Sequence, residues 1–97
     1  MKDFSEISQS LDKFTNKKNE AYGDAYGKNF EMFGLTYAAI EVFNKVNRIV
    51  TLTKNNQDSA NNESLFDSYV DLRNYAEFAI QHMLPNVSEE NKSKYGL

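Results

Sequence analysis

Cysteine is absent from the 97 residues, which excludes a disulfide framework and any thiolate zinc site. Proline occurs once and glycine four times, and so few chain breakers favour helices over many short strands. Tryptophan is missing too, yet six Tyr and seven Phe are spread along the chain, which argues against wholesale disorder. No stretch approaches the ~18 consecutive apolar residues of a membrane span. No apolar run follows Lys2, so the opening residues do not read as a signal peptide. A cytoplasmic protein is expected. A formal charge of −3 and a pI near 5.1 argue against broad nucleic-acid binding. The length makes one domain, residues 1–97, with a thin core. Dimerisation is a reasonable way for such a chain to bury more surface.

What is present is helical periodicity. Phe4, Ile7, Leu11 and Phe14 recur at helical spacing after Asp3 and Glu6, which have the spacing of a capping box. This first helix is expected to reach about Tyr22 and stop at Gly23. Tyr22 to Gly27 reads as a turn-rich connection, and a short helical piece carries Phe30, Met32 and Phe33 up to Gly34. Thr36 is a suitable cap for the second long helix, with Leu35 and Ile40 as a staple. Ala39, Phe43, Val46 and Val50 are read as its core face. Lys54 to Asn62 is a loop by composition. The third helix spans roughly Asn62 to Leu84, ended by Pro85. Ser88-Glu89-Glu90 caps a short last helix, and Tyr95-Gly96-Leu97 is expected to fray. The fold class that follows is all-α, a bundle of three main helices and one or two short ones.

The third helix carries the most information. Glu63, Asp67 and Asp71 stand four residues apart, with Asn74 one turn on, so they form one acidic stripe. Leu65, Tyr69, Leu72, Ala76 and Ala79 form an apolar stripe beside it. Phe66, Val70, Ile80 and Leu84 widen the apolar surface, part of which would suit a second subunit, and a homo-oligomer is expected. Stacked acids repel, so a partner should offset them: facing basic side chains or a divalent cation. The second helix offers Glu41, Lys45 and Arg48, with Asn44 beside them. If the two helices are antiparallel neighbours, two arrangements follow. Either Lys45 and Arg48 pair with Asp67 and Asp71 structurally, or Glu41, Asp67 and Asp71 hold Mg2+ while the cations grip phosphate oxygens.

Other candidates are weaker. Lys13, Lys17 and Lys18 lie late in the first helix, where cations favour the macrodipole. Gly23 and Gly27 are too isolated for a phosphate-cradling loop. His82 is the one histidine, and a partly exposed structural role suits it better than metal ligation. Ser64 and Ser68 have no His partner at a persuasive spacing for a nucleophile.

Several pieces then occur in a recognisable order: Lys18-Asn19-x-x-Tyr22-Gly23, Phe30 to Gly34, Lys45-Val-Asn-Arg48-Ile49, and Glu63-Ser-x-x-Asp67-x-x-x-Asp71-Leu-x-Asn74-Tyr75-Ala76. Over about residues 14–80 the chain resembles the nucleotide modification associated domain 1 family, small proteins common in phages and prophages. That family is in turn similar to the MazG-like all-α nucleoside triphosphate pyrophosphohydrolases. The resemblance implies nucleotide binding, with Mg2+ as cofactor and water attacking the α-phosphate. Glu41, Asp67 and Asp71 would anchor the metal, and Glu63 would accept the proton of the attacking water. Lys45 and Arg48 would steady the phosphate charge. Lys18 would touch a phosphate, Tyr22 or Tyr26 would stack on a base, and Asn74 would contact the substrate. One departure stands out: Asn44 occupies a position where a second acid of the earlier helix is expected, which weakens metal binding and water activation. The alternative is a non-enzymatic, small acidic phage protein that binds and modulates a host or phage protein.

Overall fold

The computed structural model describes residues 2–21, 24–55 and 63–97, and of Glu63 the backbone alone. Four α-helices follow one another: α1 (Phe4–Ala21), α2 (Ala25–Lys54), α3 (Glu63–Met83) and α4 (Glu89–Lys94), with a 3-10 turn at Leu84–Asn86. No strand occurs among the described residues. The all-α class expected from periodicity is the class observed, with three main helices packed together.

Local signals set the helix ends. Asp3 accepts bonds from the Ser5 N–H and hydroxyl at the start of α1. Asp24, in the left-handed region at φ 55°, caps α2 by accepting from the Gly27 N–H at 3.2 Å. A Cβ at position 27 would collide with that capping carboxylate, so a larger residue there would displace the Asp24 cap. Helix α2 therefore begins at Ala25, and Ala25 to Gly27 belong to a helix rather than to the expected turn. The proposed stop at Gly23 and residues 56–62 of the expected loop lie outside the described residues, whereas Lys54, expected in that loop, is the last residue of α2 and Asn55 its C-cap.

Gly34 breaks α2 as expected. Its φ of 67° and ψ of −147° interrupt an otherwise helical segment, a conformation that suits a residue without a Cβ. The helix resumes at Leu35, so Thr36 lies inside the next turn and does not cap it. Pro85 ends α3 within the 3-10 turn, and Ser88 caps α4 by accepting from the Asn91 N–H at 3.2 Å. The last residues form a closed terminal turn, in which the Gly96 N–H reaches Ser93 O and the Leu97 N–H reaches Lys92 O at 2.9 Å.

Helices α2 and α3 are antiparallel neighbours. Arg48 meets Ser68, Lys45 meets Asp71, and Glu41 meets Tyr75, so numbers rise on one helix as they fall on the other. The buried apolar residues are few: Tyr26, Ala38, Ile49 and Leu65. Helix α1 joins through Arg73 of α3, which pairs with Asp12 and reaches the Ser8 carbonyl.

The expected core face of α2 is turned the other way. Phe43, Val46 and Val50 are exposed, and so is Ala39. The reason is electrostatic. Glu41, Lys45 and Arg48 find their partners on α3, and that orientation points the apolar stripe outward. On α1, Phe4, Ile7 and Phe14 are likewise exposed, and Thr15 is the buried residue. On α3, Leu65 is buried, whereas Phe66, Tyr69 and Ile80 face solvent.

Candidate functional site

A cleft of about 240 Å3 lies where α1, α2 and α3 meet. Its floor is aromatic: Tyr26 and Tyr37 from α2, Tyr75 and Phe78 from α3. Helix α1 contributes Thr15, Lys18 and Asn19, and α3 adds Asp71 and Asn74. The volume falls just under the roughly 300 Å3 at which small-molecule sites begin. It suits one ring system with its substituents, not a whole triphosphate.

Tyr26 organises this floor. It is 4% exposed, and its ring lies 4.9 Å from Phe78, 5.1 Å from Tyr37 and 6.0 Å from Tyr75, centroid to centroid. His82 closes the cluster at 5.4 Å from Tyr26 and 5.0 Å from Phe30, with Nδ1 2.9 Å from the Phe78 carbonyl. His82 is half-buried in this cluster, which agrees with the partly exposed, packed position expected for it.

Two buried hydroxyls at the cleft, Tyr26 OH and Thr15 Oγ1, have no hydrogen-bond partner among the described residues. Such groups cost about 1–3 kcal/mol each when left unpaired, and unsatisfied buried polar atoms call for an explanation. A polar ligand in the cleft would supply one.

The charged side is built from the stripe pair. Lys45 Nζ is 3.1 Å from Asp71 and 5.9 Å from the centroid of the Tyr75 ring. Burial, then the Glu41 carboxylate that the hydroxyl faces as a donor, push the Tyr75 pKa well above the ordinary 10.0. Burial also raises Tyr26, helped by Tyr37 and Glu41.

The sign of the pH effect follows. Above pH 10 the unfolded chain loses these phenolic protons first and binds fewer than the folded one, so stability falls as pH rises. Urea melts between pH 8 and 11.5 should show this decline, and Tyr75→Phe should flatten it. Equal slopes for the two proteins would remove Tyr75 as its source.

Of the residues singled out in the sequence, Lys18, Tyr26, Asp71 and Asn74 line the cleft, and Lys45 stands behind them on Asp71. Lys18 also lies over the Phe14 ring at 6.0 Å. Arg48 bonds Ser68 Oγ through Nε at 3.0 Å, so it pairs with neither aspartate. Asp67 is exposed and makes no ion pair among the described residues. Tyr22 and the Glu63 side chain lie outside the described residues. Thr15 and Tyr37 were not legible as site residues: one sits beside a lysine run, the other between helix signals, and neither belongs to a stripe.

The metal reading meets the donor geometry directly. No group of three His, Asp or Glu side chains able to hold a metal ion occurs among the described residues. Glu41 faces Tyr75, Asp71 is held by Lys45, and Asp67 stands apart. The three carboxylates do not fit a protein-built Mg2+ cage in this arrangement.

The described residues thus form an all-α domain with an aromatic cleft where its three main helices meet. The chain belongs to the nucleotide modification associated domain 1 family, whose model matches residues 18–83. That span holds the whole of α2 and α3 and the α1 residues Lys18 and Asn19. No curated protein and no solved structure matches the chain. No helix among the described residues is long and apolar enough to cross a membrane.

Proposed function

We propose that this chain binds a nucleotide, with the base in the aromatic cleft and the phosphates leaving it past Lys18. The single observation that carries this reading is the cleft itself: four aromatic rings around two buried hydroxyls that have no partner among the described residues. Base–aromatic stacking contributes about 1–3 kcal/mol per base in other proteins. Asn74 and Asn19 offer amide donors and acceptors to a base edge. Lys45 offsets the charge of Asp71, so the wall does not repel an incoming phosphate. Family membership agrees with this ligand class.

Cleavage to monophosphate and pyrophosphate is the finer reading, and it rests on the likeness to MazG-like enzymes. No three acids converge among the described residues and position 44 is Asn, so binding stands ahead of hydrolysis. Mg2+ would enter with the nucleotide phosphates, a mode that suits this ion. The exposed apolar face of α2 supports a protein partner as well. A homo-oligomer is part of the proposal, and a host or phage protein is the second reading of that face.

The deciding experiment is thermal unfolding with a panel of ribo- and deoxynucleotides, with and without Mg2+, alongside turnover scored as monophosphate and pyrophosphate. A ligand at 100 times its Kd stabilises the fold by about 2.7 kcal/mol, roughly 10–20 °C for a domain of this size. Asn74→Leu should reduce the shift. If no nucleotide at millimolar concentration moves the transition, the cleft is not a nucleotide site.

A further inference from the structure

The outward face of α2 is built inside out for a free monomer. From Leu35 to Thr53 the helix has three charged residues, Glu41, Lys45 and Arg48. All three make their contacts with α3, at Tyr75, Asp71 and Ser68. Toward solvent stand Phe43 at 66% exposure, Leu35 at 61%, and then Ile40, Val50 and Val46. The residues between them, Thr36, Ala39 and Asn47, are uncharged. A surface helix ordinarily turns its apolar stripe to its own core and its charges to water.

Of the sixteen large apolar residues exposed among the described residues, five lie together on this one helix face: Leu35, Ile40, Phe43, Val46 and Val50. Leu35, Thr36, Ala39, Ile40 and Phe43 line a shallow hollow on this face. The small Ala39 lowers its floor, and Phe43 rises one turn further along.

We propose that this face binds a second copy of the chain, α2 against α2, antiparallel about a two-fold axis near Glu41 and Val42. A knob at position 43 and a hollow at 39, one turn apart, are complementary to themselves under that symmetry: each Phe43 enters the hollow of the other copy. A face without charge carries no like-charge repulsion against its own image. It equally lacks the charges that would steer a different protein onto it.

Sedimentation or light scattering of the chain over a wide dilution series tests this. The wild type should have twice the chain mass, and Phe43→Glu should weaken dimerisation more than about 100-fold, because the two-fold places the substitution in the contact twice. A monomeric wild type overturns the proposal. So does a dimer that Phe43→Glu leaves intact, or a monomer that uses this face for another protein.

Should the variant lose its fold, single cysteines decide, since the chain has none of its own. Ile40→Cys, close to the axis, should form a disulfide between copies. Val50→Cys, far from it, should not, and the reverse pattern overturns the arrangement. No nucleotide enters these measurements, so their failure leaves the cleft reading untouched.

Discussion

Tyr26→Ala should destabilise the fold by about 3–5 kcal/mol, the range for removing a large buried aromatic. Domains this small have total stabilities near the low end of about 5–15 kcal/mol, so the variant should be largely unfolded at 37 °C. The effect is large because the core is thin. Tyr26 is the one aromatic among the four buried apolar residues, and it touches Phe30, Tyr37, Tyr75, Phe78 and His82 at once. Urea denaturation measures the loss directly.

Tyr26→Phe should behave in the opposite way. The ring packing stays and a buried hydroxyl without a partner among the described residues disappears, so ligand-free stability should hold or rise by about 1 kcal/mol. Nucleotide-induced stabilisation should shrink in the same variant. A protein that stores an unpaired hydroxyl for its ligand gives up stability for binding. If Tyr26→Phe lost stability without ligand, the hydroxyl would have a partner within the chain, and that support for a ligand would go.

The second large effect is expected at Ser68. It is the most buried side chain in the described chain, 1% exposed, and it lies where α3 meets α2. Its Oγ accepts from Arg48 Nε and donates to the Ser64 carbonyl at 2.7 Å. Ser68→Leu would force a bulky group between the helices, at about 1–3 kcal/mol from overpacking alone, and would also remove the Arg48 bond. Ser68→Ala should cost only about 1 kcal/mol, the usual value of one lost hydrogen bond. Equal losses in the two variants would mean that the bond matters and the close approach of the helices does not.

Ser68 also shows where reading the sequence runs out. As a residue it invites a question about nucleophiles, and without a histidine partner the answer is negative. Its actual role is to be small between two helices and to hold Arg48. That depends on a residue twenty positions away, and nothing in the local pattern reports it. The acid stripe shares this limit. Periodicity places Glu63, Asp67 and Asp71 on one face of α3, yet only packing selects Asp71 for Lys45 and leaves Asp67 in solvent.

The α2 stripes illustrate the point from the other side. Helical spacing correctly separates Ala39, Phe43, Val46 and Val50 from Glu41, Lys45 and Arg48. Assigning the apolar set to the core assumes that the chain completes its own core. In the fold, Ala38 and Ile49 are buried and the apolar stripe looks outward. Periodicity establishes that a helix has two faces, not which neighbour each face meets.

The break at Gly34, the stop at Pro85 and the Ser88 cap follow from the sequence by itself, because each depends on backbone geometry within about one turn. The absence of cysteine and the family's ordered motifs were equally plain there. Tertiary structure alone decided the cleft, which gathers Thr15, Tyr26 and Tyr75 from three helices, and it alone decided the outward turn of α2. Both rest on how far each helix is rotated when it packs, which is set by contacts between residues far apart in the chain.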